Sequence, residues 1–289
     1  MGSTPDEVGV AYKYFNEVGD FMKKLIAIDL DGTTLNQDSV ITEKTAKTLH
    51  RAIEDGHSVV IATGRPYRMS KNFYQELQLT TPMINFNGAL VHLPEQKWAG
   101  EQEISFNRSI VFDLLAEKKN LKLDFIAAEN RETFFIDDLN FFDQHFFASD
   151  FATNDNLLTV NTLQTNPTSV LLRSQPENVG SVSEELKQQF GHEVEVNTWG
   201  GPKPILEVVA KGIQKAHGLK RVLESVHHKQ EDIIAFGDEH NDVEMLKFAG
   251  WGVAMANGTD QLKSVANDIT EMPNSEDGMA DYLTKYLDL

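Results

Sequence analysis

Cysteine is absent from the 289-residue chain, which excludes disulfide bonds and thiol catalysis. Long apolar runs are absent too, since no stretch approaches the roughly 20 residues that a membrane helix needs. Basic residues are few, with 26 Lys and Arg against 44 Asp and Glu, a formal net charge of −18. This balance argues against nucleic-acid and anionic-membrane partners. It leaves a small anionic ligand possible, because the field inside a site is set locally.

Two acids stand at the end of the first apolar segment. Leu25 to Leu30 is an apolar run interrupted by Asp29 and followed by Asp31 and Gly32. A short run of this kind is typical of a buried strand in a parallel sheet, and such sheets bind ligands at the carboxyl ends of their strands. Buried carboxylates need a partner, and a divalent cation is a natural one. We therefore predict a cation-dependent site here. A turn that contains acids without a function would have the same sequence pattern.

A second apolar segment ends in the same way. The run 233–236 is followed by Gly237, Asp238, Asn241 and Asp242. Gly237 allows a sharp turn of the backbone. Asn241 and Asp242 stand where the next helix is predicted to begin, so helix capping explains them as well as ligand binding does. Asp238 precedes that helix by several residues, which favours a role in the site.

Two further segments supply groups that suit a phosphate. Thr63 and Gly64 follow the predicted strand 58–62 and offer a hydroxyl and backbone N–H groups. A polar turn before a helix that starts at Pro66 accounts for them equally well. Lys211 and Lys215 precede an amphipathic helix, and either could supply a cation, although a single Lys is ordinarily a surface residue.

Together these segments resemble the haloacid dehalogenase (HAD) superfamily phosphatases, and within them the Cof-like hydrolases with a large C2-type cap. Four motifs occur in the family's order: Asp29-Leu-Asp-Gly-Thr33, Thr63-Gly-Arg65, the lysine motif 211–215, and Gly237-Asp-Glu-His-Asn-Asp242. The segment Asn85 to Ala89 resembles the family's entry into its cap. The resemblance implies an α/β fold, with a Rossmann-like parallel-sheet core and an inserted α+β cap.

The resemblance also implies roles for individual residues. Asp29 would be the nucleophile that forms an aspartyl-phosphate, and Asp31 the general acid and base. Lys215, which we prefer to Lys211, would complete the catalytic set. The remaining implied roles are phosphate binding by Gly32, Thr63, Gly64, Lys215 and Asn241, Mg²⁺ binding by Asp29, Asp31 and Asp238, and a supporting role for Asp242.

The alternation of apolar and polar segments predicts the domain organisation. Residues 1–21 precede Met22 and are expected to be a poorly ordered leader, native or added. The core is predicted at 22–87 and 204–289, and the cap at 88–203. The segment 199–202 reads as a hinge or a simple turn. Seven Phe lie between Phe134 and Phe151; they suit a cap core, although Phe142 or Phe146 could face the cleft.

Within these domains the apolar periodicity predicts individual elements. The predicted core strands are 25–30, 58–62, 83–86, 233–237 and 252–255, and the predicted core helices are 42–55, 66–77, 213–226, 242–249, 260–266 and 276–287. The predicted cap strands are 123–127, 133–136, 169–173 and 194–197, with a helix at 179–190.

The function that follows is Mg²⁺-dependent hydrolysis of a small phosphate monoester, a sugar phosphate by preference, in the cytoplasm. Two alternatives stay open. A phosphomutase of the same superfamily would return the phosphoryl group to a sugar hydroxyl. A non-catalytic phospho-acceptor or metabolite-sensing domain would not need Asp31 beside the nucleophile or a large cap. Nothing in the sequence indicates an oligomeric state.

Overall fold

The structure is a computed structural model, and it describes residues 23–147, 149–198, 204–226 and 228–289. The predicted leader at 1–21 and the predicted hinge at 199–202 lie outside the described residues. Within the described ranges, no helix combines the length and the apolar character that crossing a bilayer requires.

The elements alternate between strands and helices along most of the chain. The strands are β1 (Leu25–Ile28), β2 (Ser58–Ile61), β3 (Met83–Asn85), β4 (Leu90–His92), β5 (Gln102–Glu103), β6 (Leu123–Glu129), β7 (Phe134–Ile136), β8 (Ser169–Ser174), β9 (Val194–Thr198), β10 (Ile205–Ala210), β11 (Ile233–Gly237), β12 (Trp251–Ala254) and β13 (Asp268–Ile269). The α-helices are α1 (Glu43–Glu54), α2 (Tyr67–Glu76), α3 (Ser109–Glu117), α4 (Gln144–Phe147), α5 (Val179–Phe190), α6 (Lys215–Leu223), α7 (Val243–Phe248), α8 (Asp260–Lys263) and α9 (Gly278–Leu287).

The first sheet is parallel and carries helices on both faces. Its strand order is β13-β12-β11-β1-β2. Along β1, Ile26 and Ile28 pack on the side of α1 and α9, whereas Leu25 and Ala27 pack on the side of α6 and α7. Side chains of a strand alternate between faces, so an apolar strand without polar alternation is what a doubly covered sheet requires. The order also makes β1 and β11 neighbours, which brings their carboxyl ends together.

The second sheet is antiparallel and lies between a cap core and the cleft. Its order is β7-β6-β8-β10-β9. One face packs on α3 and α5 through residues such as Leu172 and Leu206. The opposite face carries an aromatic cluster that includes Phe125 and Phe147, together with Leu171 and Ile205. The predicted fold class, a Rossmann-like HAD core with an inserted α+β cap, agrees with these two sheets.

Two features depart from the predicted organisation. Strand β10 was not predicted, and it pairs with β8 and β9 of the second sheet. The division into core and cap stays a proposal; the pairing shows that residues 205–210 belong to the second sheet and not to the first. Strand β3 forms a small antiparallel sheet with β4 and β5, and it meets the first sheet through a bridge between Ile84 and Ala62.

Candidate active site

The site begins where β1 ends. Asp29 follows Ile28 directly, and its backbone N–H donates to the carbonyl of Phe236 in β11 at 3.2 Å, so the parallel pairing continues through it. Its carboxylate is buried and accepts a hydrogen bond from Lys215 Nζ at 2.5 Å. Lys215 is the first residue of α6 and is fully buried. The N-terminus of α6 thus places a desolvated ammonium at the carboxyl end of β1.

Asp242 holds this lysine from the other side. Its Oδ1 accepts from Lys215 Nζ at 2.7 Å, while its Oδ2 accepts from the backbone N–H groups of Asp238 at 3.0 Å and Glu239 at 3.2 Å. Both oxygens are therefore engaged, and the side chain is fully buried. Asp242 thus joins the turn after β11 to the ammonium of Lys215, and its supporting role stays a prediction. Lys211 instead pairs with Glu195 at 3.1 Å on the surface.

Gly32 is required by the close approach of two loops. Its φ of +72° is in the left-handed region, and a Cβ there would lie 2.1 Å from Asp238 Oδ2. The next residue, Thr33, donates from Oγ1 to Asp238 Oδ1 at 3.1 Å. The loop after β1 is thereby joined to the loop after β11.

A cluster of carboxylates suitable for a cation results from this approach. Asp29, Asp238 and Asp242 each offer an oxygen, and these oxygens lie within 4.8 Å of one another. Hard oxygen donors of this kind suit Mg²⁺. The predicted set had Asp31 in place of Asp242, contributing its backbone carbonyl. Of these three carboxylates, Asp29 and Asp238 line the cleft, whereas Asp242 does not and has both oxygens engaged elsewhere.

The electrostatics of the cluster reflect an excess of negative charge. Burial raises the pKa of the Asp29 carboxyl well above its ordinary value, against the opposing effect of the Lys215 ammonium. Burial, with the charge of Asp242, raises the pKa of Asp238 to about 7. Burial alone would lower the pKa of Lys215, but Asp242 and Asp29 raise it overall. Three carboxylates around one ammonium leave a net negative charge, which a further cation would neutralise.

Asp31 lines the same cleft but is paired with an arginine rather than with Lys215. Arg65 donates to both of its oxygens, from Nε to Oδ2 at 2.7 Å and from a terminal nitrogen to Oδ1 at 2.5 Å. The guanidinium also lies 5.5 Å from the centroid of the Phe73 ring. Arg65 belongs to a motif that we singled out without assigning it a role. Its position after β2, the parallel neighbour of β1, is what brings it to Asp31, and the sequence indicates that position only through the predicted sheet.

The phosphate-binding residues of the prediction divide into two groups. Gly32, Gly64 and Asn241 line the cleft, whereas Thr63 and Lys215 are fully buried and are not among its lining residues. Thr63 is fully buried, and its hydroxyl accepts the backbone N–H of Arg65 at 3.1 Å, so the hydroxyl shapes the turn in this structure.

Asn241 is held by a residue that the sequence reasoning missed. Its Nδ2 donates to Asn87 Oδ1 at 2.9 Å, and Asn87 Nδ2 donates to Glu207 Oε2 at 2.8 Å. Asn87 has φ of +53°, a left-handed conformation that Asn tolerates better than most residues. The Asn87-Gly88 pair signals such a turn, and Glu207 is an acid inside an otherwise apolar strand.

The cleft above these residues measures about 1070 Å³. Its cap side is formed by the aromatic face of the second sheet, with Phe125, Phe141 and Phe146 among the lining residues. Of the two Phe residues considered for the cleft, Phe146 is among its lining residues. Phe142 instead stacks against Phe134 and Phe147.

Comparison with known proteins gives the family. The model of the haloacid dehalogenase-like hydrolases matches residues 26–283. The chain belongs to this family. The resemblance inferred from the motifs is confirmed.

Several relatives of this HAD chain are named as phosphatases. The 5-amino-6-(5-phospho-D-ribitylamino)uracil phosphatase YitU of Bacillus subtilis (strain 168) is 40% identical over 271 residues, which cover 92% of this chain and 98% of the relative. YcsE of the same organism, with the same named activity, is 31% identical and covers 89% and 93%. A haloacid dehalogenase-like hydrolase from Bacteroides thetaiotaomicron superposes with a TM-score of 0.79 at 28% identity, covering 91% and 99%. The chain is an enzyme, a HAD-type phosphatase.

Proposed function

We propose that this enzyme hydrolyses a small phosphate monoester through an aspartyl-phosphate on Asp29, with Mg²⁺ as its cofactor. One observation carries the proposal. The Asp29 carboxylate lies at the end of β1, lines a large cleft, and is held by the buried ammonium of Lys215 at 2.5 Å. A carboxylate fixed in this way is a positioned nucleophile, and positioning and charge neutralisation are what phosphoryl transfer needs.

The two half-reactions use this chain's carboxylates in turn. In the first, an Asp29 oxygen bonds to phosphorus, the ester P–O bond breaks, and the alcohol leaves with a proton from Asp31. In the second, water attacks phosphorus, gives a proton to Asp31 and releases phosphate from Asp29. This role requires Asp31 to turn from Arg65, its partner in the structure, toward the ester oxygen.

The remaining residues bind the cation and the phosphoryl group. Asp29, Asp238 and the Asp31 carbonyl would hold Mg²⁺, which when bound neutralises part of the charge on the phosphoryl oxygens. Lys215 does the same from the protein side. Backbone N–H groups near Gly32 and Gly64, the Thr63 hydroxyl and the Asn241 amide are the proposed contacts of the phosphoryl oxygens.

The substrate that we propose is a cytoplasmic polyol or sugar phosphate, with 5-amino-6-(5-phospho-D-ribitylamino)uracil as the leading candidate. Two relatives carry that activity in their names. The cleft volume of about 1070 Å³ accommodates a ribityl chain and a ring. Phe141 and Phe146 offer apolar surface on which a planar ring could stack.

The test is release of inorganic phosphate from this candidate and from ribitol 5-phosphate. We expect turnover that chelation abolishes and Mg²⁺ restores, and Asp29→Asn should lose at least about 10³-fold of it. Asp113→Asn, an exposed Asp on α3, serves as the matched control. Full activity in excess chelator, or substantial activity in a folded Asp29→Asn protein, would contradict the proposal. Conversion to an isomer without phosphate release would indicate the mutase instead.

A further inference from the structure

Glu207 is a buried acid on the cleft face of the cap sheet. In strand β10 the alternation of side chains sends Leu206 and Val208 into the cap core, while Ile205 and Glu207 line the cleft. The Glu207 side chain is 3% exposed. Every other residue of the strand is apolar, so packing alone would favour an apolar residue here.

The partners of Glu207 are neutral. Its Oε2 accepts from Asn87 Nδ2 at 2.8 Å, and its Oε1 accepts from Ser169 Oγ at 3.3 Å. Among the described residues it takes part in no ion pair within 4 Å. A carboxylate offers about four acceptor positions, so about two remain after these hydrogen bonds.

The neighbouring acid of the cap shows what Glu207 lacks. Glu129 also lines the cleft, but it pairs with the guanidinium of Arg68 from α2. Within the part of the chain that the structure describes, no cation lies within ion-pair distance of Glu207. Burial together with the charge of Glu129 raises its pKa to about 7. A buried carboxyl with unused acceptor positions costs free energy, which a ligand that brings hydrogen-bond donors would recover.

Asn87 places this acid beside the phosphoryl site. Because its Oδ1 accepts from Asn241 Nδ2, its Nδ2 is directed at Glu207, and the amide orientation is fixed from both sides. Glu207 therefore lies two hydrogen bonds from the proposed phosphate contact Asn241, on the side of the cap. That is where the alcohol part of a bound phosphate ester would extend.

We propose that Glu207 determines specificity by accepting hydrogen bonds from hydroxyl or amino groups of the substrate's alcohol part, with Asn87 as its positioning residue. This inference rests on the proposed function for the location of the phosphate. It favours polyol and amino-polyol phosphates over esters whose alcohol carries no donor.

The test measures binding rather than turnover. In the Asp29→Asn background with Mg²⁺, calorimetry gives the Kd of ribitol 5-phosphate and of inorganic phosphate, with and without Glu207→Gln. We expect the Kd of ribitol 5-phosphate to rise at least about tenfold, because hydrogen bonds to charged acceptors are strong ones. The Kd of inorganic phosphate should change less than about twofold. Glu195→Gln, on the adjacent strand β9 and paired with Lys211, is the matched control and should change neither.

Each other outcome is decisive. Equal weakening of both ligands would show that Glu207 acts on the phosphoryl site, and no weakening would show that it contacts no ligand; either overturns the inference. Failure of ribitol 5-phosphate to bind the parent protein overturns it too. Absence of phosphatase turnover in the wild-type enzyme would instead contradict the proposed function, and the binding comparison would still report on Glu207. A thermal melt of each variant checks that it is folded.

Discussion

The two walls of the cleft are built from different chemistry. The core wall concentrates charge, with Asp29, Asp238 and Asp242 around Lys215. The cap wall is largely aromatic and apolar, and Glu207, one of its acids, has only neutral hydrogen-bond partners among the described residues. Charge that is paired and fixed suits a reaction common to all phosphate esters. An adaptable apolar wall with a few directed polar groups suits selection among them.

The walls also differ in how they are held. The core carboxylates are fixed by strand ends and backbone N–H groups, as with Asp242 and the turn after β11. The cap wall meets the core through side chains, such as Arg68 of α2, which donates to the Phe147 carbonyl at 2.9 Å and pairs with Glu129. Variants of the core wall should therefore affect every substrate, and variants of the cap wall should affect substrates unequally.

The largest effect is expected from the core lysine. Lys215→Met leaves the Asp29 and Asp242 carboxylates buried without their shared cation. Removing one partner of a buried pair typically costs about 3–5 kcal/mol of unfolding free energy, and loss of a charge donor at a reaction centre costs about 10²–10³ in kcat. We expect a lower free energy of unfolding, which urea unfolding measures. We also expect a lower kcat for every ester tested, which phosphate-release kinetics measure.

Lys211→Met is the matched control for that variant. Lys211 lies four residues earlier and makes a half-exposed pair with Glu195. Pairs of this kind contribute about 0–1 kcal/mol. A Lys215→Met protein as active and stable as the Lys211→Met protein would contradict the role assigned to the buried ammonium.

Asp31→Asn should slow the enzyme by an amount that depends on the leaving group of the ester. A sugar or polyol alkoxide needs a proton to leave, whereas p-nitrophenolate leaves with little help. The first half-reaction should therefore slow by about 10²-fold with ribitol 5-phosphate and much less with p-nitrophenyl phosphate. Water activation needs the base with either ester, so an aspartyl-phosphate should accumulate with the activated one.

Rapid-quench measurement of phosphoenzyme and alcohol release checks this expectation. Asp38→Asn, an exposed Asp seven residues along the same loop region, controls for a general effect of the substitution. Equal fractional losses with both esters and no trapped phosphoenzyme would assign Asp31 a structural role, such as holding Arg65.

The core wall was largely predictable because its signals are local. Asp29 and Asp238 each end an apolar strand, and neighbouring parallel strands place their carboxyl ends together. The exact partners were less accessible from the spacing, because the contact of Asp242 with Lys215 joins residues 27 positions apart. The family resemblance offered Lys215 or the metal-bound waters as what Asp242 would orient, and the spacing did not decide between them. The pairing of Arg65 with Asp31 is likewise a tertiary contact.

The cap wall was harder to predict for two physical reasons. Strand β10 lies only four residues before α6, so it reads as an approach to the core, yet it pairs with β8 and β9. Its acid went unnoticed, although an acid within an apolar strand was the signal that identified Asp29. Applied to Ile205–Ala210, the same argument selects Glu207. The sequence did not show which Phe residues belong to the cap core and which face the cleft, because the cluster has no clear periodicity.

The smallest effect concerns the pH dependence of stability, and it tests whether Glu207 is as isolated as its contacts indicate. Its pKa is raised from 4.5 to about 7 in the folded protein, so between those pH values the folded state binds the proton more tightly than the unfolded state does. Stability from this group is therefore present below pH 4.5 and is lost as the pH rises through about 7. At 1.36 kcal/mol per pKa unit the loss is at most about 3 kcal/mol.

Glu207→Gln removes this titration. The free energy of unfolding of the variant, measured relative to that of the wild type, should therefore increase as the pH rises from 5 to 8. Urea unfolding at both pH values measures the change as a difference of differences, in which the titration of all other groups cancels. Glu195→Gln should leave the wild-type dependence unaltered. If Glu207→Gln tracks wild type across this range, a cation or a solvent path must already offset the charge of Glu207. The contrast between the ion-paired core wall and a cap-wall acid with only neutral partners among the described residues would then fail at Glu207.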